Sequence, residues 1–207
     1  MRVLLLNGSP HEAGCTHAAL AAVAAGLEEG GAAAEHVWIG REPVRGCIGC
    51  GGCYRKGRCV FDGDLVNELI GRMADMDGLV IGSPVYYASA NGSLVALLDR
   101  LFYAGSAAMA HKPGAAVVSA RRAGTTAALE VLNKYFAINQ MPLVSSRYWN
   151  MVHGNTPEEA AQDLEGMQIM RQLGRNMAWL LACIEAGREK GIAPPPAEKW
   201  ARTNFIR

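Results

Sequence analysis

Short apolar runs alternate with amphipathic or alanine-rich stretches along most of the chain. The apolar runs have the length of buried strands, and the intervening stretches have the spacing of helices. The pattern predicts strands over residues 2–6, 35–39, 78–81, 115–119 and 143–146. It predicts helices over residues 16–28, 65–73, 92–102 and 125–137, and a last long helix from Thr156 and Pro157 towards Lys190.

This alternation is typical of a parallel sheet with helices on both faces, because parallel neighbours need a crossover between them. Thr156 and Pro157 suit the N-cap and first position of the last helix. We therefore expect one α/β domain over residues 1–191. The three consecutive prolines at 194–196 end the helical pattern, so residues 192–207 are expected to form a C-terminal tail.

Composition and charge narrow the class of protein. The chain has 207 residues, of which 50% are hydrophobic, and a formal net charge of +1. That balance gives no electrostatic reason to expect a nucleic-acid or membrane partner. The first apolar run is too short for a signal-peptide core or a membrane span, so we expect a cytoplasmic protein.

Ligands of open parallel sheets bind at the carboxyl ends of the strands, and the loop after the first predicted strand has the chemistry of a phosphate site. It contains Ser9 and Thr16 among several glycines and opens directly into a helix. Backbone N–H groups at such a helix start, with the two hydroxyls, form a phosphate cradle that needs no lysine. The loop is neither a G-x-G-x-x-G fingerprint nor a P-loop.

The loops after the third and fourth strands add an aromatic wall and a polar edge. Pro84 stiffens the first of them, and Tyr86 and Tyr87 can present flat faces to a ring system. A phosphate cradle beside these two loops suits flavin mononucleotide (FMN). Arg121 and Arg122, in the loop after the fourth strand, are then either solvated or placed at the flavin N1/O2 edge or at a substrate phosphate.

Four cysteines occur in the segment 46–60 as C-x2-C-x2-C-x5-C, at Cys47, Cys50, Cys53 and Cys59. Soft thiolates at this spacing favour a [4Fe–4S] cluster over zinc, whose ligands usually come as two separated pairs. An empty or disulfide-prone cysteine loop remains an alternative, as does zinc. Cys183 is interpreted as a core residue of the last helix.

Two further residues have alternative interpretations. Cys15 is either a low-pKa thiol at a helix start or a small buried side chain under the phosphate. Arg100, with Asp99 before it, is interpreted as part of a structural pair near the end of the helix predicted over 92–102.

Several of these motifs together resemble a known family. The motifs that carry the similarity to the NAD(P)H-dependent FMN reductases of flavodoxin-like fold are Gly8-Ser-Pro10 with Cys15-Thr16, Ser83-Pro-Val-Tyr-Tyr87 followed by Asn91-Gly92 and Leu98-Asp-Arg100, and Arg122-Ala-Gly124. The cysteine run makes the chain resemble the iron–sulfur flavoproteins within that group. The resemblance implies a five-stranded doubly wound sheet of order 2-1-3-4-5.

The resemblance also implies a set of cofactor contacts. It carries FMN phosphate binding to the first loop and ring contacts to the other two. The cofactor-binding candidates are Ser9, Pro10, Cys15, Thr16, His17, Pro84, Val85, Tyr86, Tyr87, Asn91, Ser119, Ala120, Arg121, Arg122 and Gly124.

The sequence thus predicts an FMN-dependent oxidoreductase that passes electrons between FMN and a [4Fe–4S] cluster, with NAD(P)H as a possible donor. A cluster-free NAD(P)H:FMN or quinone reductase is the first alternative, and a zinc-binding module on the same scaffold is the second. No catalytic residue can be singled out. We expect a small-molecule or protein redox partner and a homodimer or homotetramer, with Trp149, Trp200 and Phe205 as candidate contact residues.

Overall fold

Five parallel strands form a single sheet in the order second, first, third, fourth and fifth along the chain, as predicted. The structure is a computed structural model, and it describes residues 1–199, 201 and 203–205. The strands are β1 (Arg2–Asn7), β2 (Ala33–Trp38), β3 (Gly78–Pro84), β4 (Gly114–Ala120) and β5 (Met151–His153). The helices are α1 (Cys15–Glu29), α2 (Cys53–Lys56), α3 (Leu65–Ala74), α4 (Gly92–Met109), α5 (Thr125–Ile138), α6 (Pro157–Gln162) and α7 (Leu164–Glu189).

Helices cover both faces of this sheet, so its central strands are apolar on both sides. In β1 the alternate residues Leu4 and Leu6 belong to a core shared with α3, α4 and α5. Val3 and Leu5 belong to a second core shared with α1 and α7. This is why the run after Arg2 is continuously hydrophobic rather than alternating.

The predicted fifth strand over residues 143–146 is wrong. Leu143 makes only an isolated bridge to Gly114, and β5 lies further along the chain at Met151–His153. Between these contacts the side-chain amide of Asn150 donates to Ala116 O at 3.0 Å, where a continuous strand would have paired. The alternation at 143–146 therefore reflects one buried residue, Val144, rather than a strand.

The predicted last helix is divided in two at Asp163. This residue ends α6, and its Oδ1 accepts the amide of Gly166 at 2.9 Å as the N-cap of α7. Its Oδ2 accepts the amide of His153 at 2.8 Å, which ties the break to the end of β5. An aspartate that caps a new helix has more stable hydrogen bonds than it would have inside one.

Two further expectations concern the C-terminal part of the chain. Cys183 is exposed on α7, so its interpretation as a core residue is wrong. Beyond Ile192 the described residues form no helix or strand, whereas Trp200, Arg202, Ile206 and Arg207 lie outside the described residues, so the interpretation of Trp200 stays a prediction. Among the described helices, none is both long and apolar enough to cross a bilayer.

Candidate functional site

A cleft of about 680 Å³ opens at the carboxyl ends of the strands. That volume falls within the range of small-molecule and cofactor sites. Segments that follow all five strands contribute to its walls. The lining residues are Ser9, His11, Glu12, Ala13, Gly14, Cys15, Thr16, Arg41, Pro84, Val85, Tyr86, Ser119, Ala120, Arg121, Gly154, Asn155, Thr156 and Pro157.

The loop between β1 and α1 is fixed by its own hydrogen bonds. Asn7 Oδ1 accepts the amide of Ser9 at 3.1 Å, and Ser9 Oγ accepts the amide of His11 at 3.1 Å. The amide of Gly8 donates to Gly82 O at 2.8 Å, and a Cβ at Gly8 would also lie 2.8 Å from this backbone oxygen of β3. Only glycine therefore allows this loop to approach β3 so closely.

The first turn of α1 faces the cleft without a side-chain cap. Its N-cap residue is Gly14, which has no side chain to accept from the first amides, and the turn contains no acidic residue. Uncapped N–H groups and the helix dipole favour an anion at this position. The first turn of α1 can therefore hold a phosphate group.

Two buried hydroxyls connect the first turn of α1 to the end of β4. Thr16 Oγ1 and Ser119 Oγ lie 2.9 Å apart, and both residues are almost fully buried. Because a buried hydroxyl is costly without a partner, this bond fixes the helix start against the strand end. It places the start of α1 beside the end of β4, on the floor of the cleft.

Pro84, Val85 and Tyr86 form a second wall. The amide of Val85 donates to Ser119 O at 2.8 Å, and that of Tyr86 donates to Ser89 O at 2.8 Å. Partial burial raises the pKa of the Tyr86 phenol, so this ring stays neutral at physiological pH. It can pack against a flat cofactor without adding charge.

The Cys15 thiol lies at the junction of α1 and the segment after β5. It is half-buried, and its Sγ donates to Gly154 O at 3.6 Å. Burial raises its pKa by more than the hydrogen bond of its own backbone amide lowers it, and smaller contributions from the charges of Glu159 and Glu158 also raise it. The structure therefore favours the small buried side chain over the low-pKa thiol.

The cleft brings together most of the predicted cofactor contacts, but not all of them. Tyr87 is fully exposed, and the His17 ring lies 5.6 Å from the His36 ring, outside the cleft lining. Asn91 caps α4 and donates to Gly8 O at 2.7 Å, so it supports the first loop from behind. Pro10, Arg122 and Gly124 are also absent from the lining.

Two parts of the cleft were missed by the sequence analysis. Residues 154–157 lie after β5, and the misplaced fifth strand hid their position. Arg41 lies after β2, where its Nε donates to Pro10 O at 3.1 Å. The helix-start signal at Thr156 and Pro157 was recognised, and combining it with a later fifth strand would have located this wall.

The four cysteines of the 46–60 segment border one small concavity of about 30 Å³, next to Arg100 on α4. Cys47 and Cys50 are exposed, whereas Cys53 and Cys59 are partly buried. The amide of Gly49 donates to Cys47 Sγ at 3.4 Å. Backbone N–H groups directed at sulfur are typical of sites where thiolates bind metal.

Arg100 is the one charged residue of the buried set in the described part of the chain, with 2% of its surface exposed. Its Nε donates to Cys59 Sγ at 3.2 Å, and its guanidinium forms a salt bridge with Asp64. Burial lowers the pKa of Arg100, but the hydrogen bonds and charges of Asp64 and Cys59 raise it by more. The side chain is therefore a permanent positive charge beside the cysteine concavity.

The donor set at this concavity consists of four cysteine thiols beside a buried cation. In the described residues, no three His, Cys, Asp or Glu side chains converge closely enough to hold one metal ion. Four thiolates are the ligand set of a [4Fe–4S] cluster and also of a structural zinc ion, so the chemistry of this donor set suits both.

Two curated relatives match this chain along most of its length. An iron–sulfur flavoprotein of Methanocaldococcus jannaschii is 28% identical over 193 residues, covering 89% of this chain and 100% of the relative. An iron–sulfur flavoprotein of Methanosarcina thermophila is 28% identical over 194 residues, covering 92% and 100%.

Solved structures and family profiles give the fold and the family. A flavodoxin from the domain Archaea superposes with a TM-score of 0.60 at 14% identity, covering 88% of this chain and 99% of that one, so the flavodoxin-like fold is confirmed. The profile of the NADPH-dependent FMN reductases matches residues 1–156. The chain belongs to the NADPH-dependent FMN reductase family and is an FMN-dependent oxidoreductase.

Proposed function

We propose that this oxidoreductase couples the FMN in its cleft to a [4Fe–4S] cluster held by Cys47, Cys50, Cys53 and Cys59. The observation that carries the proposal is that all four cysteines border one concavity beside the buried Arg100. The two relatives that this chain covers from end to end are both named iron–sulfur flavoproteins, which supports it.

In the cleft, we propose that the FMN phosphate binds the first turn of α1. The amides of that turn have no side-chain cap, and Ser9 and Thr16 supply hydroxyls beside them. Cys15 fills the space between this turn and the Gly154 carbonyl. The N-terminal dipole of a fifteen-residue helix then stabilises the phosphate charge.

The ring system is proposed to lie between the 84–86 wall and the loop after β4. Bound FMN supplies hydride and single-electron chemistry, and the protein supplies position and electrostatics. Ser119 and Ala120 form a buried floor, and Arg121 stands at the exposed rim. From that rim its guanidinium can contact a phosphate of NAD(P)H or negative charge on the flavin.

Partners and location complete the proposal. We propose NAD(P)H as the electron donor, a protein or small molecule as the acceptor, and a cytoplasmic homodimer or homotetramer. The aromatic residues Tyr148 and Trp149 are both more than half exposed, with ring centroids 5.0 Å apart. Such a pair is a candidate for subunit contact. We also propose that residues 1–191 form one domain and that residues 192–207 form a C-terminal tail.

Replacing Cys53 with alanine is expected to remove the cluster and spare the flavin. Cys53 begins α2 and borders the concavity, whereas it does not line the FMN cleft. After anaerobic purification, the variant should retain stoichiometric FMN and lose nearly all iron and acid-labile sulfide. Flavin absorbance, iron analysis and low-temperature electron paramagnetic resonance of the dithionite-reduced protein measure these outcomes.

Cys183→Ala is the matched control, because Cys183 is exposed on α7 and outside the concavity. It should keep both iron and flavin. Full iron in Cys53→Ala would contradict the ligand assignment, and stoichiometric zinc in the wild type would support the zinc alternative. A wild type that oxidises NADPH with added flavin or quinone but holds no iron would identify a cluster-free reductase.

A further inference from the structure

We propose that Arg100 positions the cysteine segment and sets the reduction potential of the cluster that this segment holds. The inference rests on the proposed function, because it concerns the same four thiolates. It adds a residue outside the cysteine motif, on α4, which the sequence analysis interpreted as part of a structural helix-end pair.

Arg100 forms hydrogen bonds at both ends of the cysteine segment. Its Nη1 donates to Arg45 O at 3.2 Å, just before Cys47, and its Nη2 donates to Phe61 O at 3.3 Å, just after Cys59. Its Nε reaches Cys59 Sγ itself. One planar guanidinium therefore holds the entry, the exit and one thiol of the segment, a task that needs its several fixed donors.

Arg100 differs from the basic residues of the cysteine segment in its burial. The segment's own basic residues are exposed, so solvent screens their charges; they are Arg55, Lys56 and Arg58. Arg100 is shielded from solvent, and the Phe61 ring lies 5.5 Å from its guanidinium carbon. In such surroundings its charge acts more strongly on the thiolates than a surface charge at a similar distance.

Asp64 carries the negative charge that compensates Arg100. Asp64 accepts from both Nη atoms of Arg100, and its Oδ1 also accepts the amide of Val66 at 3.2 Å as the N-cap of α3. Asp64 thus opposes the charge of Arg100, which lines the concavity, without lining it itself. Because reduction adds negative charge to a cluster, the cation favours the reduced state and the carboxylate disfavours it.

Three substitutions separate the two roles of Arg100. Arg100→Lys keeps the charge but cannot contact both ends of the segment, so we expect iron loss to a chelator to become about tenfold faster. Because the charge remains, the shift in reduction potential should be smaller than in Arg100→Gln. Arg100→Gln removes the charge and leaves Asp64 unpaired, so its cluster potential should fall. Asp64→Asn retains a good helix cap and leaves Arg100 uncompensated, so its potential should rise.

The measurements are redox titration of the cluster by electron paramagnetic resonance, iron loss to a chelator, and protease cleavage within 46–60 of the iron-free protein. Arg188→Gln is the control, since Arg188 pairs with Glu185 on the exposed face of α7 and should change none of these. FMN content should stay stoichiometric in every variant, because neither Arg100 nor Asp64 lines the cleft.

Potentials that move in opposite directions for Arg100→Gln and Asp64→Asn support the proposal, because general destabilisation would lower iron content without that opposition. Equal potentials in all variants overturn the electrostatic role, and unchanged chelator and protease rates in Arg100→Lys overturn the positioning role. A wild type without iron after reconstitution rejects the proposed function and, with it, the potential-setting role. Protease rates on the iron-free variants then decide the positioning role alone.

Discussion

Replacing Cys15 with aspartate is expected to weaken FMN binding by about 100-fold or more. Cys15 is the first residue of α1 and lines the cleft, where we propose that the phosphate binds. A carboxylate there faces the phosphate at a distance of a few ångströms. In a partly buried site, like charges about 4 Å apart repel by about 4 kcal/mol, which is more than the 2.7 kcal/mol of a 100-fold change. Flavin fluorescence titration of the apoprotein measures the affinity.

Cys15→Asn is the control, because asparagine has the shape of aspartate without its charge. We expect it to bind FMN within about tenfold of the wild type, since its amide can donate to the Gly154 carbonyl that now accepts from the thiol. The Cys15→Asp apoprotein should unfold at a lower temperature than Cys15→Asn, because its carboxylate faces the Gly154 carbonyl and the charges of Glu158 and Glu159, and the helix start offsets only part of this. Equal FMN affinities for the two variants would mean that the phosphate binds elsewhere.

The sheet and three of the loops that line the cleft could be predicted because they depend on local patterns. Strand β3 reads as buried because both of its faces are covered, and its carboxyl end carries the Pro84 turn that any parallel topology would direct to the binding edge. The Ser9 loop was recognisable because its hydroxyls and glycines open directly into a helix. These features lie within a few residues of each other along the chain.

The position of residues 154–157 in the cleft depends on which segment pairs with β4 as the fifth strand, and local sequence patterns do not determine this. Residues 143–146 and Met151–His153 are both short and partly apolar, and the later segment pairs with the end of β4. Asp163 and Asn150 decide between them, through hydrogen bonds to His153 and Ala116 that only the folded chain forms. The loop that follows β5 therefore became visible only in the structure.

Arg100 shows the same limit for electrostatics. The sequence predicted a helix that ends near residue 102, with Asp99 and Arg100 as a structural pair at its end, whereas α4 continues to Met109 and Arg100 is buried. Its contact with Cys59 spans 41 positions in the sequence. Neither the cysteine spacing nor the charge of the segment indicated that the nearest buried cation would come from another helix.

The second large effect is expected at the crossing of α1 and α7, where Gly26→Ala should destabilise the protein by about 3 kcal/mol or more. A Cβ at Gly26 would lie 2.0 Å from Arg171 O, and Gly174 is equally constrained, with Val23 O at 2.2 Å. Both obstacles are backbone atoms, so the helices must move apart. Because these two helices enclose one core of the sheet, the separation exposes apolar surface. Denaturant unfolding of the apoprotein should show the loss, with a fall in melting temperature of about 6–12 °C.

Gly71→Ala distinguishes this clash from the intrinsic effect of glycine in a helix. Gly71 lies inside α3, and a Cβ there would meet no atom within 4 Å, so alanine should stabilise the protein by about 0.5–1 kcal/mol. The same substitution should therefore change stability in opposite directions at the two positions. If Gly26→Ala were as stable as the wild type, the close contact between α1 and α7 at Gly26 and Gly174 would be wrong. The packing that sets the start of α1 against the cleft would then need revision, because α1 carries both this crossing and the proposed phosphate site.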